Sequence, residues 1–156
     1  MTTHTLPVAV IGAGPVGLAA VAHLLERGET PIIFESGAEI GANVRHWQHV
    51  RMFSPWEFTV DSATVRLLEA NGWQMPPAQD LPTGKALIED YMQPFAALPQ
   101  VREHIRLNAR VVAVSRRNID KMKDNGRDDA PFTEDDRVLL TGPAVLVAEG
   151  NWLAAR

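Results

Sequence analysis

The distribution of apolar residues in the first quarter of the chain predicts a strand, a helix and a second strand, in that order. Residues 7–11 form a short, continuous apolar run, which is typical of a parallel strand covered on both faces. Residues 15–25 repeat apolar positions at helical spacing, with Pro15 suited to the first turn and with Arg27 and Gly28 as stop signals. A second apolar run over residues 31–34 ends at Glu35. The pattern predicts a β-α-β unit within residues 1–36.

The next part of the chain favours helices. Residues 62–71 show helical spacing and stop at Gly72, and three prolines at 76, 77 and 82 then predict a turn-rich connection. Thr83 is placed to cap a second helix, in which Leu87, Ile88, Tyr91 and Phe95 recur at helical spacing. We therefore predict a helical insertion over residues 60–98.

The last third of the chain combines strand patterns with one charged stretch. Residues 105–117 read as one strand, with apolar positions at Ile105, Leu107, Val112 and Val114. Residues 116–137 are densely charged in both signs, which predicts an exposed hairpin tip or linker without chemistry of its own. The later run "VLLTGPAVLVAEGNW" contains a further buried-strand pattern.

Composition narrows the class of protein. At 156 residues, with 46% hydrophobic and 22% charged residues, the chain fits one soluble globular domain. The net charge of -4 gives no electrostatic reason to expect a nucleic acid or an anionic membrane as partner. The absence of cysteine excludes disulfides and thiolate chemistry and suits a cytoplasmic location. Residues 6–25 are almost uncharged, but their glycines and Pro15 favour a strand, turn and helix over a membrane span.

The turn between the first strand and helix carries the strongest chemical signal. Gly12, Gly14 and Gly17 follow the G-x-G-x-x-G spacing, which combines a sharp exit from the strand, close approach of a diphosphate and close packing of the helix. The helix N-terminus would face the phosphates, and Glu35 is placed to accept hydrogen bonds from an adenosine ribose. A carboxylate there disfavours the 2′-phosphate of NADP. The alternative is a glycine turn that serves strand-to-helix packing alone.

The following segment, residues 41–61, leaves two interpretations open. Arg45 and Arg51 could offset the charge of a diphosphate while Trp47 packs near a flavin ring, or the segment is a surface loop that Trp47 and Trp56 anchor to the core. His46 and His49 have no carboxylate or third histidine near them in the sequence, so we predict no metal site. We also predict no catalytic side chain.

Two motifs resemble a known group of proteins. "GAGPVGL" with Glu35 is similar to the N-terminal FAD-binding half of two-dinucleotide flavoproteins, which include flavin-containing monooxygenases and thioredoxin reductases. "GANVRHWQHVRMFSPWEFTVD" resembles predicted flavoproteins related to flavin-dependent monooxygenases, with Gly41 and Trp47 in the family's Gly-to-Trp segment but without its usual Gly-Gly pair. The stretch at 148–150 with Trp152 takes the place of the family's Ala-Thr-Gly-like turn, and Glu149 departs from it.

The resemblance implies a fold, a cofactor and a set of binding residues. The expected fold is an α/β Rossmann-type FAD/NAD(P)-binding domain with a parallel sheet and a helical insertion, incomplete because the family's second G-x-G-x-x-G and C-terminal segment are missing. It further implies that the backbone of Val111 holds the adenine. The predicted FAD-binding residues are Gly12, Ala13, Gly14, Pro15, Val16, Gly17, Glu35, Ser36, Arg45, Trp47, Val111 and Gly150.

Three functions remain open from the sequence. The first is an FAD-binding flavoprotein, an oxidoreductase or monooxygenase that takes electrons from NAD(P)H and needs a homodimer or partner chain to complete its site. The second is a non-catalytic dinucleotide-binding module or truncated remnant. Half of an NAD-dependent dehydrogenase ranks third, because Pro15 and the tryptophan-rich segment fit the flavin group better.

Overall fold

A computed structural model describes residues 7–116, 138–141, 148–149 and 151–152 of the chain. The predicted site residue Gly150 lies outside the described residues, as does nearly all of the predicted charged stretch over residues 116–137.

A parallel three-stranded sheet forms the centre of the fold. Strands β1 (Val8–Ile11), β2 (Pro31–Phe34) and β3 (Ile105–Arg106) lie in the order β1-β2-β3, with Ala9 opposite Ile32 and Ile33 opposite Ile105. Helix α1 (Pro15–Glu26) connects β1 to β2 and begins at the predicted proline. The predicted β-α-β unit is therefore confirmed, and so is the Rossmann-type parallel sheet.

The prediction that β1 is covered on both faces is wrong for the described residues. Val8 is 39% and Ile11 is 55% exposed, whereas all four residues of β2 are buried. The second face of β2 is covered by the segment after β3, because Ala109 and Val111 pack against Ile32 and Phe34.

Seven α-helices and one π-helical segment occur in the described residues, and most of them follow β2. They are α1, α2 (Ala42–His46), α3 (Trp56–Thr59), α4 (Ser62–Glu69), α5 (Gly84–Ala86), the π-helical segment (Leu87–Met92), α6 (Gln93–Ala97) and α7 (Pro99–Arg102). Thr83 caps α5 as predicted, since its Oγ1 accepts a hydrogen bond of 3.1 Å from the Ala86 N–H. The predicted boundaries of the insertion, residues 60–98, stay a prediction.

The main core lies between α1, the sheet and the helices that follow. Helix α4 packs on α1, and Arg66 ties their exposed sides together with two 2.8 Å hydrogen bonds to the carboxylate of Glu26. The bulkiest fully buried apolar side chains of this core come from α1, β2, α4, the π-helical segment, α6 and α7: Leu18, Val21, Ile33, Leu68, Ile88, Tyr91, Met92, Phe95 and Val101.

The single strand predicted over residues 105–117 is wrong. The chain leaves β3 after Arg106 and resumes extended pairing only at β4 (Ala113–Arg116), which pairs antiparallel with β5 (Val138–Thr141). Asn108 adopts a left-handed conformation with φ +54°, and its N–H donates to the carbonyl of Gly37. The segment therefore turns to run beside the end of β2. Strands β6 (Ala148–Glu149) and β7 (Asn151–Trp152) form a second antiparallel pair.

Asp61 joins three helical elements at one junction. Its Oδ1 accepts the Thr64 N–H at 3.0 Å and so caps α4, and its Oδ2 lies 3.0 Å from His23 Nε2 on α1. Its own N–H donates to the Tyr91 hydroxyl of the π-helical segment at 2.9 Å. Partial burial raises the pKa of the Asp61 carboxyl, but the hydrogen bonds from Thr64 and His23 outweigh it and hold that pKa below the usual 3.8.

The lowered pKa of Asp61 predicts an acid-sensitive contribution to stability. A carboxyl whose pKa is lower in the folded than in the unfolded state stabilises the fold above its unfolded pKa, and this contribution disappears as the pH falls through the folded pKa. We expect Asp61→Asn to lower the free energy of unfolding by about 1 kcal/mol near pH 5 and by less near pH 2.5. Urea unfolding at both pH values measures this difference. Asp80→Asn, at an exposed position, is the matched control, and equal losses for Asp61→Asn at both pH values would contradict the prediction.

Candidate functional site

The fold requires glycine at two of the three positions after β1, Gly12 and Gly17, and leaves open space at Gly14. Gly12 has φ +96°, a conformation that favours glycine. A Cβ built on Gly17 would lie 1.9 Å from the carbonyl oxygen of Gly12, so α1 can start this close to the turn only with glycine there. A Cβ on Gly14 would meet no described heavy atom within 4 Å. The space beside Gly14 is therefore not filled by the described part of the protein.

The start of α1 faces that space with its polar backbone groups. Gly14 is the N-cap of the helix, no side chain caps it, and the first turn contains no acidic residue. The Leu18 N–H is bonded to the Gly14 carbonyl, whereas no described group accepts from the N–H groups of Val16 and Gly17. These amides and the positive end of the helix dipole make this position favourable for an anion.

A cavity of about 340 Å³ opens at this turn. One wall is the end of β1 with the glycine turn, the second is the residue after β2, and the third is the start of α2. The described lining residues are Ile11, Gly12, Gly14, Pro15, Val16, Gly17, Glu35, Gly41, Ala42, Asn43 and Val44. The cavity thus lies at the carboxyl ends of two parallel strands, where open α/β sheets bind their ligands.

Glu35 is the only charged side chain among the described lining residues, and only 7% of its surface is exposed. Its carboxylate accepts the Ala13 N–H at 2.8 Å, the Gly37 N–H at 2.7 Å and the Ser36 hydroxyl at 3.3 Å. A carboxylate offers about four acceptor positions. Glu35 can therefore hold the glycine turn and still accept a hydrogen bond from a hydroxyl group in the cavity.

Residues 10–72 match the family model of the NAD(P)-binding Rossmann-like domain. The fold is Rossmann-like. The match begins within β1 and continues through the glycine turn, β2 and α4, so it includes every described residue that lines the cavity. No curated protein sequence matches the chain.

Solved structures share this Rossmann-like fold. OTEMO in complex with FAD and NADP superposes with a TM-score of 0.56 at 20% identity, covering 88% of this chain and 22% of that chain. Oxidized steroid monooxygenase bound to NADP gives a TM-score of 0.52 at 24% identity, covering 68% of this chain and 20% of that chain. The chain therefore spans about a fifth of the length of these enzymes.

Arg45 does not line the cavity at the glycine turn. It forms an ion pair with Glu39, and both residues line a separate cavity of about 550 Å³ together with Arg102. Its Nε is buried and has no hydrogen-bond partner in the described part of the chain. Arg51 also lies elsewhere and donates to the carbonyl of Leu81 at 3.4 Å. Neither arginine lies beside the glycine turn.

Trp47 and Val111 also pack outside the cavity. Trp47 lies over Gly84, where a built Cβ would come within 2.7 Å of its ring. This contact and the burial of Trp56 agree with the interpretation that both tryptophans anchor the segment to the core. Val111 packs beside Ile32, Phe34 and Ala109. The predicted roles of Arg45, Trp47 and Val111 in holding a cofactor stay predictions.

The sequence analysis did not single out the third wall of the cavity as a contact surface. Gly41 has φ +66° and its N–H donates to the Ala13 carbonyl at 2.9 Å, which fixes the start of α2 against the glycine turn. A Cβ on Gly41 would lie 2.9 Å from Cε of Met92, so the π-helical segment supports this wall from behind. Asn43 then lines the cavity from the first turn of α2.

The described residues lack two classes of feature. No helix there is long and apolar enough to cross a membrane. No group of three or more histidine, aspartate or glutamate side chains there is arranged to hold a metal ion.

Proposed function

We propose that the chain is the FAD-binding part of a flavin-dependent oxidoreductase or monooxygenase. One observation carries the proposal: the unfilled space at Gly14, the uncapped start of α1 and the carboxylate of Glu35 meet in one cavity. The space at Gly14 and the start of α1 fit a diphosphate, and the Glu35 carboxylate fits a ribose beside it. Solved structures of the same fold contain FAD and NADP, which supports the choice of ligand class.

The charge of Glu35 favours FAD over NADP in this cavity. A carboxylate accepts hydrogen bonds from ribose hydroxyls but repels a 2′-phosphate, which carries about −1.5 to −2 charges. The described lining residues include no arginine or lysine that would offset this repulsion. We therefore assign NADH or NADPH to the role of an external electron donor and not to this cavity.

A bound flavin would supply the redox chemistry, accepting two electrons from a nicotinamide and passing them to an acceptor. The residues of this chain bind and orient the cofactor: the turn amides hold the diphosphate, and Glu35 holds the ribose. The described cavity accounts for the diphosphate and ribose end only. We accordingly expect a second copy of the chain or a partner chain to enclose the flavin ring. We also expect a cytoplasmic location and a small-molecule substrate.

The first test is the visible absorption spectrum of the purified chain after incubation with FAD and removal of unbound flavin. We expect a flavin spectrum, release of FAD on heating and slow bleaching with NADH or NADPH. A spectrum without reduction by either donor would favour a non-catalytic dinucleotide-binding module. A chain that stays colourless and also fails to bind ADP-ribose in calorimetry would overturn the proposal.

A further inference from the structure

We infer that Met92, a fully buried residue of the π-helical segment, is a positioning residue for the glycine turn. It acts through Gly41, whose N–H binds the middle of the turn, and so fixes the backbone amides that hold the diphosphate of the cofactor. The inference rests on the proposed function and deepens it. It assigns part of the affinity for the nucleotide to a side chain that lies behind the cavity and does not line it.

Ala13, between the first two glycines of the turn, is held from two sides. Its N–H donates to the Glu35 carboxylate at 2.8 Å, and its carbonyl accepts the Gly41 N–H at 2.9 Å. Ala13 is fully buried. Because a peptide unit is planar, the hydrogen bond to the Ala13 carbonyl also fixes the direction of the Gly14 N–H. The contact with Gly41 therefore orients a backbone donor beside the unfilled space of the cavity.

Gly41 is in close contact with the π-helical segment behind it. The three heavy atoms nearest to a Cβ built on Gly41 are Cε and Sδ of Met92, at 2.9 and 3.6 Å, and Cγ1 of Ile88, at 3.6 Å. Met92 is 0% and Ile88 is 1% exposed, so the packed core confines both side chains. Gly41 consequently cannot move back from the Ala13 carbonyl while the methionine is in place.

The π-helical segment is itself fixed by contacts on its other sides. Pro94 has no N–H to donate to the Asp90 carbonyl, which instead accepts the indole N–H of Trp73 at 2.7 Å. The Tyr91 hydroxyl accepts a backbone N–H from the N-cap residue of α4 at 2.9 Å. The two residues that precede Met92 are thus anchored, which holds the methionine against the start of α2. Single-turn π-helical segments occur frequently at functional sites.

The experiment measures ADP-ribose binding by isothermal titration calorimetry on the full chain. We expect Met92→Ala to weaken binding by about three- to tenfold, the effect of weakening one hydrogen bond of the turn. The physical reason is the space that the truncation opens behind Gly41, into which this residue can withdraw from the Ala13 carbonyl. Met92→Leu nearly conserves the volume of the side chain and should restore most of the affinity.

Leu68→Ala is the matched control, since it truncates a side chain of the same core that is 1% exposed and is not among the nearest neighbours of Gly41. Both truncations should lower the midpoint of urea unfolding. Only Met92→Ala should lower the affinity for ADP-ribose, and only Met92→Ala should accelerate hydrogen exchange of the Gly41 N–H in the ligand-free protein. Met92→Val and Leu68→Val give the same comparison if an alanine variant does not fold.

Two results would overturn the inference alone. One is an unchanged affinity in the truncated Met92 variant, and the other is an equal loss of affinity in the Leu68 control. Failure of the wild type to bind both FAD and ADP-ribose would instead overturn the proposed function, and this inference with it.

Discussion

Gly17→Ala is expected to lower the free energy of unfolding by about 3 kcal/mol, the upper end of the range for overpacking. The added Cβ would lie 1.9 Å from the carbonyl oxygen of Gly12, and a backbone atom cannot move aside as the end of a flexible side chain can. Relief requires α1 to shift away from the end of β1. Because this helix packs on the sheet and on α4, the shift disturbs the main core. Urea unfolding followed by circular dichroism measures the loss.

Gly14→Ala is the matched comparison, with the same added methyl group three residues earlier. Its Cβ meets no described heavy atom within 4 Å, and its φ of −82° suits any residue. We expect its free energy of unfolding to remain within about 1 kcal/mol of the wild-type value. Its affinity for FAD and ADP-ribose should fall, because the methyl group occupies the space proposed for the diphosphate. The two variants separate folding from binding. A stable Gly17→Ala protein, or a Gly14→Ala protein that binds normally, would contradict this account of the turn.

Glu35→Ala is expected to weaken nucleotide binding by about 1.5–3 kcal/mol, the range for hydrogen bonds to charged groups. This corresponds to roughly a ten- to hundredfold rise in the dissociation constant. The physical reason is loss of the carboxylate that faces the cavity and is placed to accept a ribose hydroxyl. Calorimetric titration with ADP-ribose measures the effect directly.

The same substitution is expected to lower stability, because Glu35 also accepts the N–H groups of Ala13 and Gly37. An unsatisfied buried N–H costs about 1–3 kcal/mol. Glu35→Gln retains one side-chain carbonyl oxygen, so it should recover part of the stability. Glu29→Ala, at an exposed position, controls for loss of a carboxylate and should change neither quantity. Unaltered ADP-ribose affinity in Glu35→Ala would remove this residue from the site.

Local sequence was sufficient to predict the elements that position the cavity. The apolar runs before Gly12 and before Glu35 predicted β1 and β2, and Pro15 marked the start of α1. Thr83 was correctly predicted as a helix cap. These features depend on local properties of the chain, such as an unpaired N–H at the start of a helix or the fixed φ of proline. They can therefore be predicted without knowing the rest of the fold.

Contacts between distant segments decided the remainder. The sequence could not show that Asn43 shares a wall with the glycine turn, or that Arg45 and Arg102 line the same second cavity. Asn108 breaks the predicted strand over residues 105–117 because its N–H bonds to Gly37, some seventy residues earlier. By itself the sequence determined the β-α-β unit and its glycine turn, since hydrophobic period and backbone conformation are local properties. Only the tertiary structure decided which charges reach the cavity, because the direction of a side chain depends on how its helix packs against partners remote in sequence.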